Sequence, residues 1–235
     1  MKTAARAAED GAAHGALLSE VLLPSLVWSA GKTSASVRYA AVTALATALS
    51  RRLLAPQHLL EAVEGAGGAG AAAGGGGGLL PLLNSVLDED WYADMRLAGC
   101  YVAQKLLESA GPLLSDASRR ALYPELHKRL DDAHNAVRCA ACRALAAFVV
   151  AAGPAYCDTN SGYLVAGVAI HMDDGDPAVQ EAACAVLLAA AATKPAVTAA
   201  EVAKVRDRFR SKHYCDRVLA AARAAQEAAQ AADGP

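Results

Sequence analysis

Apolar residues recur along this chain every three or four positions, stop at a short polar break, and then start again. Over Leu122–Gly153, LYPELHKRLDDAHNAVRCAACRALAAFVVAAG, the residues Leu122, Leu126 and Leu130 fall on one helical face. After the break, Val137, Ala141, Leu145 and Phe148 fall on another. The spacing predicts two amphipathic helices in succession. Within the break, Asp131, Asp132 and Asn135 offer side-chain oxygens to the unpaired N–H groups that open the second helix. Gly153-Pro154 ends it, because glycine accepts the left-handed cap and proline cannot continue the ladder. The unit is a helical hairpin.

The hairpin repeats. Val137-Arg138 is matched by Val179-Gln180, 42 residues later, and by Met95-Arg96, 42 residues earlier. The turns DEDWYADMR, LDDAHNAVR and MDDGDPAVQ place Asp90, Asp132 and Asp174 six residues before Arg96, Arg138 and Gln180. The first helix of a pair carries LLPLL at 79–83 and LYPEL at 122–126, and a further copy lies upstream with LLPSL at 22–26 and Val37-Arg38. A fixed period in the range of 20–50 residues is the signature of stacked helical repeats. The expected fold is therefore all-α, an α-solenoid of antiparallel helix pairs forming a right-handed superhelix.

The array spans residues 1–235 as one body, with pairs at about 14–51, 79–111, 116–153 and 158–193 and a helical cap at 196–232. Ser34 or Ser36 is the expected N-cap of a second helix over Val37–Arg51, and a short helix is expected after Pro56. The first copy precedes the second by 58 residues, and the excess is GAGGAGAAAGGGGG. No side chain there exceeds a methyl group, so 64–78 is expected to be a disordered insertion. Lengthening a connection from roughly 8 to roughly 24 residues costs only about 1 kcal/mol, so the array can continue through it. The final pair is expected to be shorter and more charged, as a cap with a polar outer face should be.

Composition sharpens this picture. Hydrophobic residues make up 54% of the chain but aromatics only 5%, so much of the apolar content is alanine and helices can approach closely. A net charge of −2 argues against a dedicated nucleic-acid binder. The opening MKTAARAAED meets Glu9 and Asp10 before any apolar run, which argues against a signal peptide. The longest uncharged stretch, Gly65–Leu87, is glycine-rich and contains Pro81, a poor membrane span. A cytoplasmic protein without a membrane segment is the expectation.

Several residues invite chemistry. Cys139-Ala-Ala-Cys142 has redox or zinc spacing, and His127, His134, Cys139 and Cys142 are four possible ligands within 16 residues. However, Cys100, Cys142 and Cys184 each fall five residues after the Met or Val that opens their helix, and Val42 holds that place in the first copy. A position that takes Val or Cys alike is a small buried apolar site, so these three are expected as core cysteines, reduced, with no metal or other cofactor. AGKTS at 30–34 resembles the end of a phosphate-binding loop, but Leu26 stands where its first glycine belongs. No nucleophile elbow or dinucleotide fingerprint appears, and an enzyme is not expected.

The recurrent polar feature is the Asp-to-Arg spacing. Asp90, Arg96, Asp132, Arg138 and Asp174 are expected to form a ladder that ties each repeat to the next, each exposed pair worth about 1 kcal/mol or less. Trp91 and Tyr92, with Asp131, Asp173 and Arg138, are the candidate partner surface, an acidic edge suited to a basic segment. The alternative for Trp91 is packing under the neighbouring turn. A contrasting basic run, Arg206, Arg208, Arg210, Lys212 and Arg217, is either a solvated face or a second dock.

The paired helices, LPxL starts, Asp-rich turns and Val-Arg openings resemble HEAT repeats. More narrowly, DEDWYADMRLAGCYV, LYPELHKRLDDAHNAVR, IHMDDGDPAVQEA and RSKHYC resemble the C-terminal repeats of the HEAT-repeat dynein axonemal assembly factor family, over roughly Leu79–Ala222. The first copy departs by placing Lys32 where the ladder aspartate belongs. The resemblance implies a cytoplasmic scaffold of ciliated or flagellated cells that helps preassemble axonemal dynein arms. Its implied partners are dynein subunits, intermediate or heavy chains, and other assembly factors or chaperones. A transport or nucleic-acid-associated HEAT module using the basic cap is the rival expectation.

Overall fold

The structure, a computed structural model, describes residues 11–65 and 78–232. Among these residues there are helices, turns and no strand. The expected glycine-alanine insertion falls mainly on 66–77, outside the described residues; Glu64, at its expected edge, is helical. The chain divides after Glu125 into two compact units.

In the first unit, α1 (residues 11–26) includes a π-helical stretch at Leu17–Leu22 and a last turn at Leu23–Leu26. It is followed by α2 (Lys32–Ser50), α3 (Pro56–Glu64), α4 (Leu79–Leu87), α5 (Ala93–Ala110) and the start of α6 (Asp116–Lys128). α1 pairs with α2 and α4 with α5, while α2 lies on α5 and α1 on α4. Like stacks on like, in two rows. The apolar stripes meet between them, burying Leu18, Leu26, Leu45, Leu83, Leu87 and Leu106. α3 packs on α5 and α4, filling the interval between the two pairs. Its last residue, Glu64, accepts the Ser115 N–H at 2.9 Å, and Ser115 Oγ in turn caps α6 by accepting from Ser118 N–H at 3.1 Å.

The first pair departs from the period for a local reason. Ser34 and Ser36 do not cap the second helix; both lie inside α2, where the Ser36 hydroxyl donates to the Lys32 carbonyl at 3.0 Å. With no aspartate in its turn, the helix begins at Gly31, whose φ of 108° is open to glycine and rarely to any other residue. The helix therefore starts about one turn early. Val37 becomes an exposed residue in its second turn, whereas Met95, Val137 and Val179 are each the third residue of their helices and are buried.

In the second unit, α7 (Asn135–Ala152), α9 (Pro177–Thr193) and α11 (His213–Ala232) form one row, and α8 (Asp158–Ala169) and α10 (Pro195–Arg206) form the other. Short 3-10 turns at Arg129–Asp131 and Ile170–Asp173 precede α7 and α9. The residues expected as a short cap are a complete pair, and α11, at 20 residues, is the longest helix among the described residues. Its alanine-rich sequence carries it on, because alanine is the strongest helix former. α7 is long and apolar enough to cross a membrane, but half of it is buried within the protein as a core helix. Gly153 closes it at φ 68°.

Gly167 sets the packing of α8. A Cβ at this position would lie 1.9 Å from His127 Nε2, so the imidazole occupies the space a side chain would need. Gly167→Ala is expected to destabilise the second unit by about 1–3 kcal/mol in urea unfolding. The cost should fall well below that in a His127→Ala background, because the two substitutions share one site. Additive costs would show that the ring does not set this approach.

Candidate protein-docking surface at the repeat turns

The turns are built around one side chain. A hairpin leaves the last carbonyls of its first helix without helical partners, and they need donors. In the first pair, Arg38 Nε–H donates to the Leu26 carbonyl at 3.0 Å. In the second, Arg96 Nη1–H donates to the carbonyls of Glu89 at 2.7 Å and Asp90 at 3.3 Å. Arg138 Nε–H reaches the Leu130 carbonyl at 2.7 Å, and Gln180 Nε2–H the Asp174 carbonyl at 2.6 Å. The same position reaches back in all four copies, to a helix-end carbonyl in the first and third and to a carbonyl of the turn in the second and fourth.

What remains of each arginine fork reaches further. Arg138 donates from Nη1 and Nη2 to the two carboxylate oxygens of Asp174, in the following turn, and from Nη1 to Asn135 Oδ1 at 3.1 Å. Burial works against the Asp174 carboxylate, but Arg138 and the Asp176 N–H together hold its pKa below the ordinary range. Asp132 and Asp174 also each accept the N–H two residues on, from His134 at 3.0 Å and Asp176 at 2.8 Å, which closes their turns. Asp176 caps α9 through Ala178 N–H and takes a further bond from Asn135 Nδ2 at 2.5 Å.

Arg38 was not part of the ladder read from the spacing, yet it is the most buried of these arginines, 2% exposed. It donates from Nη1 to Glu89 Oε2 at 2.9 Å and from Nη2 to Ser85 Oγ at 2.8 Å. Burial pulls its pKa down and Glu89 opposes that. The second oxygen of Glu89 accepts the Trp91 N–H at 3.3 Å. Glu89 thus takes the role the spacing gives to Asp90, which is exposed and contributes its carbonyl instead. The missed signal was Val37-Arg38 itself, set aside because its own turn holds Lys32 instead of an acid.

The candidate partner residues have different fates. Trp91 is 86% exposed, so it does not pack under a neighbouring turn, and Tyr92 is half exposed beside it. Asp131 is exposed, 4.0 Å from His171 Nε2. Arg138 is held by Asp174. Asp173 is held too: it accepts from Arg210 N–H at 3.1 Å and Nε–H at 3.3 Å. The basic run is similarly engaged, with Arg206 on Asp216 at 2.5 Å, Lys212 on Asp207 at 2.8 Å and Arg217 on Glu181 at 2.8 Å. Trp28, 63% exposed, lies two residues past the end of α1, and nothing in the repeat pattern marks it.

The cysteines divide by depth. Cys100, Cys142 and Cys184 are buried, and so is Cys215. Burial pushes the Cys142 thiol up to about 12 and that of Cys184 up to about 11. Cys139 is half-buried, and among the described residues no three His, Cys, Asp or Glu side chains gather where a metal could be held. Exposed Cys157 has its thiol drawn down by the N–H groups of Asn160 and Thr159 at the start of α8.

Repeated helix pairs stacked like on like within each unit, with polar turns joining their helices, define an all-α protein of the armadillo-like solenoid class. Solved structures agree on the fold. An engineered protein aligns with 92% of this chain at a TM-score of 0.58 and 16% identity, covering 85% of its own length. A computationally designed armadillo repeat protein for modular peptide recognition aligns with 88% of the chain and 80% of its own, at 0.54 and 18% identity. Another designed armadillo repeat protein, in complex with the peptide (KR)4, aligns with 86% of the chain and 78% of its own, at 0.55 and 14% identity.

No protein-family model matches the chain. The particular resemblance is shown by sequence relatives, proteins named dynein axonemal assembly factor 5. The chain is 31% identical to that of Mus musculus over 121 residues and 31% identical to that of Homo sapiens over 118 residues, 52% and 50% of its length. The Xenopus laevis protein is 30% identical over 120 residues. The matched region spans 12% of the mouse and human proteins and 13% of the frog protein.

Two outcomes test these turns. Glu89→Ala, which leaves the Arg38 guanidinium buried without its carboxylate, should destabilise the first unit by about 3–5 kcal/mol, and Arg38→Met with Glu89→Leu should recover most of it. A neutral single substitution in thermal or urea unfolding would refute the pairing. In alkylation of the native chain, Cys157 should label first and Cys142 and Cys184 last, read by peptide mass spectrometry. Rapid labelling of the latter two would contradict their burial.

Proposed function

We propose that this chain is part of a non-enzymatic helical-repeat scaffold that serves the assembly of axonemal dynein arms in the cytoplasm of ciliated or flagellated cells. Three relatives named as dynein axonemal assembly factors, at 30–31% identity over about half the chain, carry this reading. The client would be a dynein intermediate or heavy chain, or a chaperone or fellow assembly factor that holds one. The architecture supports such work, because a row of like helices offers many side-by-side contacts to an extended or partly folded polypeptide. Two solved relatives of the fold are described as peptide-recognition or peptide-bound proteins. The turn carboxylates cap helices and tie repeats, and the buried thiols are held protonated, which is structural work. The rival, a transport or nucleic-acid-associated module using the basic run, is less well supported, because four of that run's five cations, Arg206, Arg210, Lys212 and Arg217, have carboxylate partners within the chain.

Affinity capture from ciliated-cell cytoplasm with this chain as bait tests the reading. Dynein heavy or intermediate chains, enriched over an unrelated designed armadillo bait, are the expected result. Their absence, or capture of RNA or DNA that is lost steeply with added salt, would overturn it in favour of the rival.

A further inference from the structure

The chain contains two tryptophans, 63 residues apart in sequence, and both wall one cleft in the first unit. The cleft has a volume of about 500 Å³ and is completed by Asn84, Ser85, Asp88, Glu89, Asp90 and Glu125. Two large indoles left 63% and 86% exposed in a chain with so few aromatics are the outstanding unburied apolar groups of this unit. Four carboxylates line the cleft with them: Glu89 is paired with Arg38, Asp88 and Glu125 are engaged in interactions of their own, and exposed Asp90 stands at the rim. Asn84 adds a buried Oδ1 that meets no hydrogen-bond donor, while its Nδ2 is fixed on the Ala121 carbonyl at 3.0 Å.

We propose that this cleft docks a basic, extended polypeptide segment, with an arginine side chain lying against Trp28 and Trp91 and directing its N–H groups to Asp90. The inference rests on the reading of the chain as a protein-binding scaffold and names the chemistry of one partner segment. Guanidinium suits the site on three counts. It stacks on indole faces, it presents a planar fork to carboxylates, and it is more weakly hydrated than ammonium. A phosphate-bearing ligand would meet the wrong sign of charge, and an apolar helix would find no aliphatic floor among the lining residues.

The display is built in advance. Arg38 anchors Glu89 and Ser85 on the floor, and Glu89 holds the Trp91 backbone N–H, so the indole is presented by a turn whose geometry is set from the core. Arg38 answers one carboxylate and leaves exposed Asp90 at the rim. A preorganised aromatic anchor lowers the ordering cost that binding would otherwise carry.

Both tryptophans report on the cleft, so their intrinsic fluorescence measures its occupation directly. Titration of the whole chain with the peptide (KR)4 should change the emission saturably, and octaglutamate should not. Trp91→Ala should weaken binding of labelled (KR)4 about tenfold in fluorescence anisotropy, with Asp90→Asn having a smaller effect in the same direction. Because Trp91 is so exposed, the alanine variant should keep the helical circular dichroism of the wild type. Equal affinity of the Trp91→Ala variant and the wild type, absence of binding up to millimolar peptide, or tighter binding of a single-stranded oligonucleotide than of (KR)4 would overturn the proposal. Dynein chains captured by a bait that does not bind (KR)4 would remove this cleft and leave the scaffold reading standing. Binding of (KR)4 through Trp91 without dynein capture would do the reverse.

Discussion

A helical hairpin must find donors for the carbonyls at the end of its first helix without giving up the tight turn that lets the second helix fold back. Here one side chain near the start of each second helix supplies them. Arg38, Arg96, Arg138 and Gln180 all donate to a carbonyl of the preceding helix end or turn. The choice of arginine has a consequence that glutamine cannot match, because five N–H groups allow one guanidinium to hold its own turn and a carboxylate of the next. Arg38 with Glu89 and Arg138 with Asp174 are two such links, one in each unit. Where Gln180 stands, the tie to the following turn comes from the opposite direction, with Arg210 reaching back to Asp173.

These links explain why the acidic turns are only partly available to a partner. Asp173, Asp174 and Asp176 each accept hydrogen bonds that close a turn, cap a helix or join two repeats. In the basic run near the C-terminal end of the second unit, Arg206, Arg210, Lys212 and Arg217 are likewise paired with neighbouring carboxylates. What a stacked-pair architecture leaves over is therefore small and specific. In the first unit it is a pair of exposed indoles beside carboxylates, with the Trp91 turn tied through Glu89 to the buried Arg38.

The sequence relatives resemble this chain over about half its length, while the fold relatives supply only architecture. Identity of 30–31% over half the chain ties the repeats to dynein axonemal assembly factors, yet the match covers a small part of those proteins. Each unit exposes the side chains that its own turns leave unburied. The first unit contributes aromatic and acidic groups; the second contributes ion-paired turns and a long alanine-rich helix.

The helix pairs, their period and the burial of Cys100, Cys142 and Cys184 were legible in the sequence, because a 3.6-residue apolar rhythm and a repeated turn are local properties that recur in register. The start of α2 was not, since it depended on the backbone conformation of Gly31 and not on either serine that follows. Nor could spacing tell that Glu89 would take the place of Asp90, because the two differ by a single position and only the direction of the turn decides which faces Arg38. The exposure of Trp91 and its meeting with Trp28 were likewise decided by tertiary structure. Residues far apart in sequence share a cleft only when stacking brings their turns to the same edge, and no periodicity along one chain encodes that.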